Sequence, residues 1–142
     1  MKRILVALDG SPRAHVVLQA TAQLAGLTGA GLVLFRAVGV QPDMPPDVLA
    51  FADQRLEDAL IARANTALEM LARDVPPARI EKSLAVFATP SDGICRTARE
   101  LSADLIVIGS HGYGGLDRLL GTTAARVVNH ADRNVLVVRT QL

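Results

Sequence analysis

The sequence has few aromatic residues and almost no cysteine. It contains no tryptophan, one tyrosine, three phenylalanines and a single cysteine, Cys95, although 50% of its residues are hydrophobic. The core must therefore be built from alanine, valine, leucine and isoleucine, which suits helices that pack tightly against a parallel sheet. One cysteine cannot form an internal disulfide and no metal-ligand spacing surrounds it, so we expect a cytoplasmic protein in which Cys95 is a small core residue.

The sequence also has no large excess of one charge sign and no long apolar run. The 15 basic and 14 acidic residues give a net charge of +1 and form no long block, so the charge pattern does not indicate a nucleic-acid partner. No apolar run approaches the roughly 18 residues that a membrane span needs. The apolar run behind the basic N-terminus ends at Asp9 and is too short for a secretory signal. We therefore expect neither a membrane partner nor export.

Short aliphatic segments alternate with segments of helical periodicity along the whole chain. We predict strands at 3–8, 32–38, 80–88, 105–108 and 135–138. We predict helices from about 11 to between 26 and 29, and at about 48–74, 91–101 and 122–130. A chain of 142 residues is long enough for one well-packed domain. Parallel neighbours require long crossover connections, so the alternation predicts a single doubly wound α/β domain over 1–142, with a five-stranded parallel sheet and helices on both faces.

Local signals predict how several of these elements begin and what they bury. Ser11 followed by Pro12 is typical of a helix N-cap with a first-turn proline, and Ser91 with Asp92 can cap the third helix. Arg36 marks a point where the second strand reaches solvent or a ligand. The second helix is expected to bury one stripe of small and aliphatic residues: Ala52, Leu56, Ala59, Leu60, Ala67, Leu68 and Leu71.

The stretch from Leu105 to Thr123 carries the strongest functional signal. An apolar strand breaks at Gly109, more glycines follow, and two threonines lead into a helix. A loop without side chains lets backbone N–H groups converge on an anion, and a helix N-terminus adds unpaired donors and a positive dipole end. The stretch therefore predicts a phosphate-binding loop, although ordinary turns use glycine too.

Two familiar phosphate motifs do not match this stretch. Gly115 and Gly121 enclose five residues and no lysine follows, unlike a Walker A loop. Asp117 stands where a dinucleotide fingerprint begun by Gly112 and Gly114 requires its third glycine. The loop therefore belongs to neither class.

The spacing Gly109-x-x-Gly112, followed by a spacer and Gly121-Thr122, resembles the nucleotide loop of the universal stress protein family. Residues 4–11, 103–112 and 134–139 are similar to that family's first, fourth and closing strands, so the resemblance covers nearly the whole chain. Gly112 and Gly121 enclose eight residues, one fewer than the family's usual ATP-binding pattern has. The chain therefore resembles the ATP-binding type with a shortened loop.

The resemblance implies a strand order of 3-2-1-4-5, in which the carboxyl ends of strands 1 and 4 open a crevice for a ligand. It implies that Val38 presents backbone groups to adenine, and Asp9 is a candidate to accept from ribose hydroxyls or to hold Mg²⁺ or Mn²⁺ on the phosphates. Asp9 before Gly10 is also typical of a turn. The implied nucleotide-binding residues are Ala7, Asp9, Val38, Ile108, Gly109, Gly112, Gly121, Thr122 and Thr123. His111 lies between two motif glycines and is a further candidate for ligand contact, although a plain loop residue is the alternative.

The last strand predicts a partner. It is apolar on both faces and lies at the edge of the sheet in the implied order, where bare backbone groups invite pairing. Pairing with the same strand of a second copy would cover Val135, Leu136, Val137 and Val138. The family resemblance also implies a homodimer of this kind.

No motif predicts fast catalysis, because the sequence lacks a nucleophile elbow, a Cys/His pair, a metal-ligand cluster and a lysine in the glycine-rich loop. We therefore expect no catalytic residues. The leading hypothesis is an ATP-binding universal stress protein that acts as a stress-response regulator or sensor, with slow hydrolysis or none. The alternative is a nucleotide-free dimeric scaffold that works through protein contacts. A slow ATPase or a nucleotide-transferring enzyme is the third hypothesis.

Overall fold

Five parallel strands form one sheet in the order β3-β2-β1-β4-β5. The computed structural model describes residues 1–39, 54–110 and 120–140. The strands are β1 (Arg3–Ala7), β2 (Gly31–Val38), β3 (Ile80–Phe87), β4 (Leu105–Gly109) and β5 (Asn134–Val138). The predicted strand order and α/β class are confirmed, and each strand lies within two residues of its predicted bounds.

Four described helices connect the strands. They are α1 (Ala14–Thr28), α2 (Gln54–Ala72), α3 (Pro90–Glu100) and α4 (Thr122–His130), and a short 3₁₀ helix, Pro77–Arg79, precedes β3. The bounds of α4 agree with the prediction. The predicted loop after β2 and the first part of the predicted second helix lie outside the described residues. Within the described ranges, no helix is both long and apolar enough to span a membrane.

The sheet buries side chains on both faces because successive residues of a strand point in opposite directions. In β1, Ile4 and Val6 face the core that α1 and α2 cover, whereas Leu5 and Ala7 face the core that α3 and α4 cover. The central strands therefore read as continuous aliphatic runs, as expected for a parallel sheet covered on both sides. Cys95 packs beside the second core, and this burial raises the pKa of its thiol.

Two predicted helix caps were wrong. The Asp9 carboxylate accepts from the Ser11 N–H at 2.9 Å and from its hydroxyl at 2.6 Å, so Ser11 lies in a turn and α1 begins later, at Ala14. Helix α3 begins at Pro90 with Thr89 as its N-cap residue, which places Ser91 inside the first turn, where it is buried. Proline at the first helical position loses no helical hydrogen bond, and α3 begins two residues earlier than the Ser91 cap implies.

The buried stripe of α2 is narrower than predicted. Ala64 and Leu68 are its buried residues, and Ile61 and Leu71 pack partly against the same core, whereas Ala59 is exposed. Helix α2 packs against β2 and β3. Ala64 and Ile61 were not part of the predicted stripe, and Ala59 lies nine positions, or about two and a half turns, before Leu68, on the opposite face of the helix.

The amino ends of the strands are joined by charged side chains. The Asp104 carboxylate accepts from the N–H groups of Lys2 at 2.7 Å and Arg3 at 2.8 Å, and these backbone hydrogen bonds lower the pKa of Asp104. The Arg3 guanidinium donates to Glu81 at 2.6 Å and to the Leu101 carbonyl. Strands β1 and β3 and the turn before β4 are thereby connected at this end.

A second arginine connects the chain before β5 to α3. Arg133 Nη1 donates to the carbonyls of Ala98 at 2.9 Å and Ala103 at 2.8 Å. Its Nε donates to Asp132 at 2.9 Å, and this hydrogen bond is the main reason that the pKa of Asp132 falls to about 2. The Arg133 side chain is only 18% exposed. Arg133 therefore adds a second donor to the Ala98 carbonyl near the end of α3, which also accepts from the Ala103 N–H, and pairs the Ala103 carbonyl in the turn that follows.

Candidate functional site

The carboxyl ends of β1 and β4 lie side by side. Val6 pairs with Val107 in the register of these parallel strands. The chain leaves β1 toward α1 on one face of the sheet and leaves β4 toward α4 on the other. Ligands of doubly wound sheets bind where connections diverge in this way. The structure therefore brings together the two segments that the sequence predicted to form a site.

Ser110, the residue after β4, joins three parts of the chain. Its N–H donates to the Val138 carbonyl at 2.9 Å, and its carbonyl accepts from the Gly121 N–H at 3.1 Å. Its hydroxyl accepts from the Thr140 N–H at 3.2 Å. Ser110 is 8% exposed. The two ends of the loop between 110 and 121 are therefore held against each other and against the chain that leaves β5.

The N-terminus of α4 opens at this junction. Gly121 is the N-cap residue, with φ −61° and ψ 161°, and no side chain within the described part of the chain caps the helix. Its carbonyl accepts from the Ala125 N–H at 2.9 Å. The N–H groups of Thr122, Thr123 and Ala124 have no acceptor inside the helix, since a helix cannot pair its first donors. Together with the helix dipole, these donors favour an anion.

Gly109 has a packing role that its motif position did not reveal. A Cβ atom at this position would lie 3.0 Å from Val17 Cγ2 of α1 and 3.6 Å from Thr140 Cγ2. The missing side chain therefore lets α1 and the chain after β5 approach the end of β4 closely. The two motif glycines therefore differ in role. Gly109 permits close packing, whereas Gly121 has a backbone conformation that any residue adopts.

Asp9 forms a turn and keeps one oxygen available. Its Oδ1 accepts from the N–H and hydroxyl of Ser11, which is the turn that the Asp9-Gly10 pair predicted. Its Oδ2 accepts no hydrogen bond from the residues that the structure describes, and the residue is exposed. A carboxylate oxygen in this position can accept from a ligand hydroxyl or ligate a hard cation.

The end of β2 contributes a backbone carbonyl, that of Val38, and a positively charged side chain, that of Arg36. The Val38 carbonyl accepts from the Ala88 N–H at 2.9 Å, so one lone pair is used within the sheet and one remains. The Arg36 guanidinium lies against Gly10, where a Cβ atom would be 2.8 Å from Arg36 Nη2. Arg36 forms no hydrogen bond or ion pair with another residue of the ranges 1–39, 54–110 and 120–140.

The remaining candidate residues divide into buried and undescribed ones. Ala7 is 9% exposed and Ile108 is 6% exposed, and both belong to the core that α3 and α4 cover. His111 and Gly112 lie outside the described residues. In the described part of the chain, no group of three or more His, Cys, Asp and Glu residues is arranged to hold a metal ion.

Sequence reasoning missed Ser110 and Thr140. Ser110 directly follows the first motif glycine, and this adjacency was the only local signal. Thr140 gives no signal, since its contact with Ser110 joins residues 30 positions apart.

The whole chain matches a known protein family. A model of the universal stress protein family matches residues 1–139. Universal stress protein A homolog 1 of Coxiella burnetii is 31% identical to this chain, with 96% of this chain and 95% of the relative aligned. A universal stress protein of Thermus aquaticus is 36% identical, with 97% of this chain and 98% of the relative aligned.

Solved structures share the fold. UspA from Lactobacillus plantarum matches with a TM-score of 0.77 at 26% identity, over 97% of each chain. A universal stress protein solved in complex with cAMP matches with a TM-score of 0.71 at 25% identity, over 99% of this chain and 98% of its own. One from Archaeoglobus fulgidus, solved with dAMP, matches with a TM-score of 0.58 at 24% identity, over 96% of this chain and 97% of its own.

Proposed function

Since the chain belongs to the universal stress protein family, we propose that it binds an adenine nucleotide, ATP with Mg²⁺ or Mn²⁺, at the carboxyl edge of the sheet. The observation that carries the proposal is the uncapped N-terminus of α4, which Ser110 joins to the end of β4 beside the exposed carboxylate of Asp9. This arrangement presents backbone donors for phosphate and an oxygen ligand for a cation at one edge.

Each candidate residue has a chemical role in this proposal. The N–H groups at Thr122 and Thr123 and the loop glycines hold the phosphates, with His111 beside them. Asp9 accepts from the ribose or ligates the cation through Oδ2. The free lone pair of the Val38 carbonyl accepts from the adenine amine. The predicted phosphate ligands are Gly109, Gly112, Gly121, Thr122 and Thr123, and Ala7 and Ile108 lie beneath the nucleotide.

Two relatives support the choice of an adenine nucleotide. One similar universal stress protein was solved with cAMP and another with dAMP, and both ligands carry adenine. The loop between 109 and 121 contains no lysine that would stabilise a transferring phosphoryl group. We therefore propose a regulator or sensor that binds nucleotide with slow turnover or none. A cytoplasmic location belongs to the same proposal, and the unpaired Cys95 supports it.

The proposal includes a homodimer through β5. Leu136 is 41% exposed on this edge strand, and Val135, Val137 and Val138 are partly buried against the two cores. An exposed apolar side chain on an unpaired edge supports a partner strand there. Sedimentation velocity of the wild type and of Leu136→Lys tests it: the wild type should sediment as a dimer and the variant as a monomer. A monomeric wild type at micromolar concentration would contradict the dimer.

The first test of nucleotide binding is to denature freshly purified protein and identify any released small molecule by mass spectrometry. Titration calorimetry with ATP and Mg²⁺ follows, on the wild type, Gly121→Leu and the control Gly26→Leu. A leucine at position 121 would fill the N-terminus of α4 and should abolish binding. At position 26, the nearest described atom to a Cβ is Arg79 Nη2 at 4.0 Å, so binding should be unchanged.

Absence of both released and titrated nucleotide in the wild type would overturn the proposal. The shortened spacer between Gly112 and Gly121 would then favour the scaffold hypothesis. In that case, the dimer measured by sedimentation becomes the functional unit to pursue.

A further inference from the structure

The chain that leaves β5 returns to the end of β4. Gly109 pairs with Val138 in the sheet register, and the Ser110 N–H extends this pairing to the Val138 carbonyl at 2.9 Å. Two residues later, the Thr140 N–H donates to Ser110 Oγ at 3.2 Å. The segment 138–140 therefore lies directly against the first residue of the glycine-rich loop.

Ser110 uses three polar groups at once. The N–H and the hydroxyl bind the segment after β5, while the carbonyl binds the Gly121 N–H at the start of α4. Burial of Ser110 to 8% exposure means that water does not readily replace these partners. One residue thus connects the loop entrance, the loop exit and the segment 138–140.

Thr140 is placed by packing and by its N–H. Its Cγ2 lies 3.6 Å from the position that a Gly109 Cβ would occupy. Its Oγ1 is buried and has no hydrogen-bond partner among the residues that the structure describes. The backbone N–H of Thr140 is therefore the polar group through which this residue acts on Ser110.

We infer that Ser110 is a positioning residue for the nucleotide loop and that it works by fastening both ends of the loop to the segment after β5. The inference rests on the proposed function. The bond from the Thr140 N–H to the Ser110 hydroxyl fixes Ser110, whose carbonyl in turn fixes Gly121, so the first donors of α4 are in place before the nucleotide binds. Loss of the Ser110 hydroxyl therefore weakens nucleotide binding while the sheet remains folded.

The test compares Ser110→Ala with Thr140→Val. Ser110→Ala removes the acceptor for the Thr140 N–H and should raise the Kd for Mg-ATP by about three- to tenfold, the loss expected for one hydrogen bond. Thr140→Val keeps the N–H donor and the packed methyl group, and it removes only the unpaired hydroxyl. Its Kd should equal that of the wild type. Ser110→Cys, which keeps a weak acceptor, should give an intermediate value.

Hydrogen exchange separates positioning from a general loss of stability. In the nucleotide-free protein, Ser110→Ala should speed exchange of the Thr140 and Gly121 amides and leave the amides of β1 unchanged. Thr140→Pro removes the donor without altering the buried Ser110, so it tests the same hydrogen bond if Ser110→Ala does not fold. The double variant should bind no more weakly than either single variant.

The outcomes distinguish the two proposals. A wild type that does not bind nucleotide overturns the proposed function, and the inference with it. A wild type that binds, together with an unchanged Kd in Ser110→Ala and Thr140→Pro, overturns the inference alone. A weaker Kd that is accompanied by faster exchange throughout the sheet also overturns it, because the effect would then be global destabilisation.

Discussion

The two ends of the same sheet are built differently. At the amino end, charged side chains from distant segments pair with each other and with carbonyl and N–H groups, as Arg3, Asp104 and Arg133 do. At the carboxyl end, the described hydrogen bonds are local turns and backbone pairs together with the side chains of Asp9 and Ser110, and Asp9 Oδ2 and the first N–H groups of α4 keep capacity to bind. In the described part of the chain, long-range charged contacts therefore join the segments at one end, whereas the other end offers donors and an acceptor for the ligand that we propose.

The largest expected effect is a loss of stability when Arg133, at the amino end of the sheet, is replaced. Arg133→Ala removes the donor for the Ala98 and Ala103 carbonyls and should lower the free energy of unfolding by about 2 kcal/mol. The control is Arg96→Ala, whose exposed ion pair with Glu100 at 4.0 Å should contribute less than about 0.5 kcal/mol. Urea denaturation measures both. Equal losses of unfolding free energy in the two variants would show that the hydrogen bonds of Arg133 contribute no more than an exposed ion pair.

Two aspartates test the comparison directly. Asp9→Asn keeps an oxygen for the Ser11 turn but removes the charge at Oδ2, and should weaken Mg-ATP binding by about tenfold with an unchanged melting temperature. Asp104→Asn, at the other end of the sheet, should lower the melting temperature and leave nucleotide affinity unchanged. Calorimetry and thermal unfolding of both variants check this. If each variant changed both quantities, the two ends would not be functionally separate.

Two glycines that permit close approach should respond differently to alanine. Gly109→Ala places a Cβ 3.0 Å from the branched, buried Val17, and should cost about 1 kcal/mol of stability. At Gly10, a Cβ would lie 2.8 Å from Arg36 Nη2, the far end of a flexible side chain, so Gly10→Ala should cost less. Denaturation measures both losses. Val17→Ala should restore part of the loss in Gly109→Ala, and no recovery would exclude this clash as the cause.

The smallest expected effect is on the pH dependence of the melting temperature. The pKa of Asp132 is about 2 in the folded protein, below its ordinary value of 3.8, mainly because Arg133 donates to it. This pair therefore stabilises the fold fully above about pH 4, and its contribution is lost as pH falls toward 2. Melting temperature measured from pH 5 to pH 2 should fall less steeply in Asp132→Asn than in the wild type. Parallel curves would show that Asp132 is not responsible.

Much of the fold and part of the site could be predicted from the sequence. Aliphatic runs located the five strands, because a parallel sheet buries both faces of each strand. The glycines and threonines near Gly121 located the start of α4, which the structure describes at Thr122. Family resemblance supplied the strand order, since no local pattern records which strands are neighbours.

The wrong predictions have different physical causes. Ser11 is a residue type that commonly caps helices, but the Asp9 carboxylate accepts from its N–H and hydroxyl and keeps it in a turn. Ala59 was assigned to the buried stripe of α2, but it lies nine positions, or about two and a half turns, before Leu68 and therefore on the opposite face of the helix, where it is exposed. The first error reflects competition from a neighbouring side chain, and the second a stripe drawn too wide for a helix whose buried residues are Ala64 and Leu68.

The sequence by itself determined the elements, because backbone preferences and the period of apolar residues act over a few positions. Gly29, with φ +74°, is such a case, since a left-handed residue at the end of α1 favours glycine. Only the tertiary structure decided that Ser110 meets Thr140, that Val17 approaches Gly109, and that Arg133 reaches α3. These contacts join residues far apart in the chain, and they exist only once the helices and the sheet have packed.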